Sequence, residues 1–269
     1  MRLFASGLHK LIRRPATWVT LGLLVGLLAL IFIAVGATAN QVTAAQGGAR
    51  VRLLLTFPLA YAFIISFILG LGGLFAVIYS AAVAGSEWSW GTLKSAVARG
   101  ESRSRYTVLT FASVATLVLP ALLVAFGSGV AVAVLGANLA GVPTTGLGDE
   151  ATLRTLPDQL ARGWLALVEE GAIGFAIATV ARSQLAGIGA GIALYFGEQF
   201  AGIFLPDIVR YLPFDAAGAV IRVAAPDGNG GGPNQNPLEP GAALLVVVAW
   251  LIGAILLAAL FSERAEIGG

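Results

Sequence analysis

Three carboxylates interrupt long apolar runs of this 269-residue sequence: Glu169 and Glu170 in WLALVEEGAIGFAIA, and Glu198 in LYFGEQF. Acidic side chains in such surroundings face protein or water rather than hydrocarbon. Two kinds of chemistry suit them. One is a proton or cation site, or the polar lining of a transport path. The other is structural: a hydrogen bond to Gln199, Tyr195 or a backbone carbonyl, or an outer vestibule wet enough to host them. The residues alone leave both open. Adjacent helical residues point about 100° apart, so Glu169 and Glu170 cannot share a direction. Glu170 shares its face with Gly163, Ala166, Gly174 and Ala178, and Glu198 with Gly187, Gly191 and Gly202. Antiparallel helices carrying them would set Glu170 and Glu198 at comparable depth.

Polar residues concentrate a second time in GSEWSWGTLKSAVARGESRSRY, positions 85–106. Gly91 and Gly100 punctuate a helix-compatible stretch over 92–98, in which Leu93 and Val97 form an i,i+4 apolar pair beside Lys94. Trp88 and Trp90 suit a membrane interface. Ser102 is placed to cap the next helix, with Arg103 and Arg105 toward lipid phosphates. A short helix held at a membrane surface and offering an apolar ridge is a docking element for a partner protein.

Other chemistry is missing. There is no cysteine, and the one histidine, His9, lies in a basic N-terminal stretch. Neither lysine, Lys10 or Lys94, follows a glycine, so no P-loop exists to cradle nucleotide phosphates. Gly146-Leu147-Gly148-Asp149 imitates the GxGD of intramembrane aspartyl proteases. That chemistry needs two facing Asp inside the bilayer, and the apolar runs contain none. No catalytic constellation, metal site or bound cofactor is expected of this chain, and the dispersed arginines exclude a nucleic-acid face.

The composition says what holds these residues. The chain is 58% hydrophobic and 11% charged, against about 25% charged in soluble domains. Each long apolar run reads as a helix, because lipid leaves backbone groups no other partner. Six runs qualify, at 17–37, 53–82, 106–135, 163–180, 185–205 and 242–261. Pro58 and Pro120 are positioned to kink the second and third. The first run exceeds a signal-peptide h-region, so it reads as a retained anchor. Before it, residues 1–16 form an amphipathic interfacial helix, with Leu3, Phe4, Leu8, Leu11 and Ile12 opposite Arg2, Ser6, His9, Lys10, Arg13 and Arg14. Lys and Arg in the short flanks place both termini and the 86–105 segment in the cytoplasm. The outer loops are then Asn40 to Arg50, Ala137 to Leu160 and 206–240. The last is too apolar at its start to hang free and is expected to fold back on the membrane. Residues 263–269 form a short tail.

The expectation is therefore an all-α, six-span integral membrane protein. It also resembles a family. Glu87-x3-Gly91-Thr92-Leu93-Lys94, then Gly100-Glu101-Ser102-Arg103 and Tyr106, is similar to the E…GTL(R/K)…P-x-S-R…Y signature of ABC type-2 exporter permeases. Gly100-Glu101 stands where that family commonly has proline. The resemblance implies that the segment is a coupling helix docking into a cytoplasmic ATPase subunit, which binds ATP and Mg. Leu93 and Val97 would receive the motion, braced by Glu87, Thr92 and Arg103. A second permease chain would complete an exporter of the plasma (inner) membrane. A secondary transporter or channel using Glu169, Glu170 and Glu198 is the alternative.

Overall fold

The computed structural model describes residues 2–41, 52–221 and 236–264. Most of the first predicted outer loop, the Gly/Pro/Asn-rich stretch 226–235 and the end of the tail lie outside the described residues. Within them the chain is helical and without strands. The helices are α1 (Arg2–Ile12), α2 (Pro15–Thr38), α3 (Leu59–Phe67), α4 (Gly73–Ser89), α5 (Thr92–Ala98), α6 (Arg103–Ala140), α7 (Glu150–Ala181), α8 (Gln184–Phe204), α9 (Pro206–Val209), α10 (Pro213–Ala219) and α11 (Pro240–Arg264). A π-turn at Ile68–Gly72 joins α3 to α4, and a 3₁₀ turn at Thr145–Gly148 precedes α7.

Five helical segments are long and apolar enough to cross a membrane: α2, α3 with α4, α6, α7 and α11. The protein is therefore a multi-pass, all-α membrane protein. The predicted run 185–205 is present as α8, but Glu198 and Gln199 dilute its apolar character and it is not among the five.

Three boundaries differ from expectation for identifiable reasons. The predicted outer loop before Leu160 is mostly helix, because α7 starts at Glu150. Asp149 caps it, accepting from the Thr152 N–H at 2.9 Å, and Arg162 pairs with Asp158 one turn away at 2.7 Å. Pro58 lies before α3 and kinks nothing; the irregularity in that span is the π-turn, at a glycine-bearing ILGLG. Pro120 lies inside α6. Helix α4 also continues through Glu87 to Ser89, residues assigned to a loop by the sequence.

Helix α7 sits at the centre. In its most apolar window 72% of residues are buried in the protein, against 22% for α2 and 17% for α11. The helix that carries two glutamates is thus the one least exposed to lipid, as the cost of charge in hydrocarbon requires. Its partners approach closely through small residues. A Cβ on Gly174 would overlap the Val77 carbonyl of α4, and one on Gly187 of α8 would overlap Ala178. The segment after α8 packs on the bundle: Phe214, Ala216, Ala217, Val220 and Ile221 are buried against it.

Candidate functional site

The segment 86–105 contains the short helix predicted for it. α5 spans Thr92–Ala98, with Gly91 (φ +66°) before it and Gly100 (φ +87°) after it. Both turns need the left-handed backbone that glycine adopts without steric cost. Its position is set by Glu87, which is 6% exposed at the end of α4. Lys10 of α1 donates to Glu87 Oε1 at 2.6 Å, and Arg14 approaches the same oxygen at 3.5 Å. Glu87 Oε2 accepts from the Tyr106 hydroxyl of α6 at 2.6 Å and from the Thr92 hydroxyl at the start of α5. One carboxylate therefore ties α1, α4, α5 and α6 together. Such a group is tolerable at low exposure only because each oxygen meets donors.

Aromatic residues extend the junction. The Arg14 guanidinium lies 5.2 Å from the Trp90 ring centre, and Arg182, after α7, lies 5.5 Å from that of Trp88. Arg14 also donates to Ser86 Oγ at 3.0 Å.

Several sequence expectations change here. Leu93 is 3% exposed and turned inward, lining a small cavity with Ala84, Tyr106, Thr107 and Phe175, so it forms no outward ridge with Val97. Thr92 and Leu93 sit on the side of α5 that meets the bundle, and an apolar Leu is drawn into it. The outward face is Lys94, Ser95, Ala98 and Arg99, with Val97 half-buried. Arg103 donates to the Glu263 carbonyl of α11 at 3.1 Å. Ser102 occupies the N-cap position of α6 but makes no capping bond. Glu263 supplies the cap instead, accepting from the Ser104 N–H at 3.0 Å. Arg105 pairs with Glu101 at 3.3 Å. Lys10 and Arg14, placed on a headgroup-facing side by the helical wheel, turn to Glu87. No feature of sequence spacing linked Lys10 to Glu87, 77 residues away.

The three glutamates of the apolar runs are all buried in the bundle. Glu169, Glu170 and Glu198 are 0%, 3% and 3% exposed. Glu170 and Glu198 lie close enough for their charges to act on one another, and both act on Glu169. From the α7–α8 junction, Glu170 and Glu198 lie about 18 and 23 Å along their helices. The Glu170 carboxyl packs on Gly73, where no side chain intervenes. Glu198 Oε2 accepts the backbone N–H groups of Phe214 at 3.0 Å and Asp215 at 3.2 Å. Both oxygens of Glu169, Oε2 of Glu170 and Oε1 of Glu198 have no hydrogen-bond partner among the described residues. Tyr195 does not meet a glutamate; its hydroxyl donates to the Gly70 carbonyl in the π-turn at 2.7 Å. The described residues contain no group of His, Cys, Asp and Glu arranged to hold a metal ion.

No protein-family model matches the chain, and no curated protein is similar to it.

Proposed function

We propose that this chain is the membrane subunit of an ATP-driven exporter. In this reading α8 is the fifth of six spans, both termini are cytoplasmic, and α5 is the coupling helix. A second permease chain would complete the pathway, and a separate ATPase subunit would hold ATP and Mg. The observation that carries the reading is α5 itself. It is a short ordered helix between two membrane-crossing segments, bound through Thr92 and Glu87 to α1, α4 and α6. A push on its outward face would reach several helices at once. A ligand shifts a conformational equilibrium only by differential contact with the two states, so nucleotide on another subunit must act through such a contact. The pattern from Glu87 to Tyr106, which resembles the ABC type-2 signature, gives the partner its identity.

The test uses the outward face. Ala98→Asp places a charge on an exposed position and leaves the bundle intact. It should weaken ATPase docking about ten-fold or more, the equivalent of about 1.4 kcal/mol, and uncouple ATP hydrolysis from transport. Co-purification with an ATPase subunit and undiminished coupling in the variant would overturn the docking role. Leu93→Asp is the contrasting variant, because a charge in a buried site lowers folded yield before it reports on docking.

A second reading is favoured by one observation, the unpartnered oxygens of Glu169, Glu170 and Glu198. A secondary transporter or channel would use them as proton or cation sites. It predicts gradient-driven flux without nucleotide, abolished by Glu170→Gln. Flux that needs ATP and survives that substitution would eliminate it.

A further inference from the structure

We infer that α8 is the movable element of the bundle, and that Tyr195 and Glu198 form a two-point clip holding it in the arrangement described above. The inference rests on α8's own contacts and stands whether or not the exporter reading does.

Helix α8 touches its neighbours along a narrow glycine line. Gly187 packs on Ala178, Gly191 on Val77, and Gly202 lies at 3.8 Å (taken from a Cβ on it) from Val209. Ile188 and Tyr195 add partly buried side chains beside that line, and the opposite face looks outward: Leu185, Phe200 and Phe204 are 82%, 72% and 74% exposed. A glycine surface permits close approach but supplies no side chain to interlock, so it resists separation better than sliding or rotation.

What fixes register is polar. The Tyr195 hydroxyl bonds the Gly70 carbonyl within the π-turn between α3 and α4. One turn along the same face, Glu198 accepts Phe214 N–H and Asp215 N–H in the first turn of α10. Those donors have no intrahelical acceptor, so Glu198 caps α10 from another helix. The Phe214 ring packs on Tyr195, with centroids 5.1 Å apart, which joins the two contacts into one unit. Both partners of α8 are irregular backbone, a π-turn and a helix start, and π-turns inside α-helices are frequent at functional positions.

The geometry makes the clip all-or-none. Tyr195 and Glu198 stand three residues apart, so a rotation of α8 or a slide of one turn removes both contacts together. The Tyr195 hydroxyl is half-buried and Glu198 is buried, so breaking the contacts takes a hydrogen bond from each, and intermediate positions are disfavoured.

The chain has no cysteine, so spin labels can be introduced at chosen positions without removing native thiols. One pair is Phe200→Cys on α8 with Leu135→Cys on α6, both exposed. A control pair is Leu30→Cys on α2 with Leu256→Cys on α11, also exposed. Distances would be read by double electron–electron resonance in lipid nanodiscs. Tyr195→Phe, which removes one hydroxyl, should add a second Phe200–Leu135 population displaced by on the order of 5 Å, one helical turn. Glu198→Ala should do the same. Glu198→Gln, whose amide oxygen still accepts a backbone N–H, should resemble the parent. The control pair should not move. Unchanged distributions in both Tyr195→Phe and Glu198→Ala would overturn the clip, as would an equal change in the control pair. Should Glu198→Ala fail to fold, Tyr195→Phe decides alone.

Discussion

At the scale of residues, Glu87 and Asp149 show how position decides what a carboxylate does. Glu87 is held by donors from three other helices, so removing its charge strands Lys10 and Arg14 beside a buried junction. Glu87→Gln should lower stability by about 1–3 kcal/mol, read from the thermal midpoint in detergent. Lys10→Met should cost less, since Lys10 is more exposed. The double variant should lose less than the sum, because both changes remove one interaction. An additive loss would mean that the two residues do not interact energetically. Asp149 is the opposite case, half-buried and outside the membrane-crossing segments. The Thr152 hydroxyl and then the Thr152 N–H hold its carboxyl below the usual range. A depressed carboxyl contributes stability that is complete above its unfolded pKa of about 4 and is lost as pH falls through the folded value. Protection of the Thr152 amide from hydrogen exchange should therefore fall below about pH 4. Asn is also a good N-cap and does not titrate there, so Asp149→Asn should keep the protection and abolish its pH dependence. A pH profile unchanged in the variant would place the effect elsewhere.

At the scale of elements, helix contacts depend on missing side chains more than on interlocking ones. Gly174 lies against the Val77 carbonyl and Gly187 against Ala178, so a side chain at either position must push two backbones apart. Gly174→Val and Gly187→Val should each destabilise by about 1–3 kcal/mol. Gly189→Val, at a position where an added Cβ meets nothing within 4 Å, should be close to neutral. Equal melting temperatures for Gly174→Val and Gly189→Val would refute the close-approach role. The glycine and alanine face of Glu170 was legible in the sequence as a packing stripe, because helical periodicity is a local property. So was α5, whose flanking glycines and short apolar pair state its ends. The length of α7 was not. Polar residues before Leu160 resemble a loop, and only the Asp149 cap and the salt bridges one turn apart turn them into helix. The inward turn of Leu93 was equally hidden, since an i,i+4 pair reads the same on a buried face and an exposed one. The trans contacts of Lys10, Glu263 and Glu198 join residues far apart in sequence, where no period or spacing can announce them.

At the scale of the molecule, the remaining question is which side of the membrane each end occupies. Helix α6 has 38 residues and a length of about 57 Å, well beyond the ~30 Å of a hydrocarbon core. Its ends must project on opposite sides, with α5 before one and the Thr145–Gly148 turn after the other. A membrane-impermeant thiol reagent should therefore label Ser95→Cys and Gly148→Cys from opposite faces. If α5 meets a cytoplasmic ATPase, Gly148→Cys reacts in intact cells and Ser95→Cys reacts only after permeabilisation. The reverse pattern would remove α5 from nucleotide and end the exporter reading while leaving the fold untouched. The same reagent decides the status of α8. Its least apolar residues, Glu198 and Gln199, are the reason its crossing is not evident from composition, yet Glu198 is buried and capped to α10 rather than exposed to lipid. A helix whose polar group is internally bonded can cross as readily as a more apolar one. Leu185→Cys and Ile208→Cys, exposed at its two ends, should then label from opposite faces, with Leu185→Cys on the side of Ser95→Cys. Labelling of both from one face would make α8 a re-entrant element and reduce the crossings to five. The termini would then lie on opposite sides of the membrane.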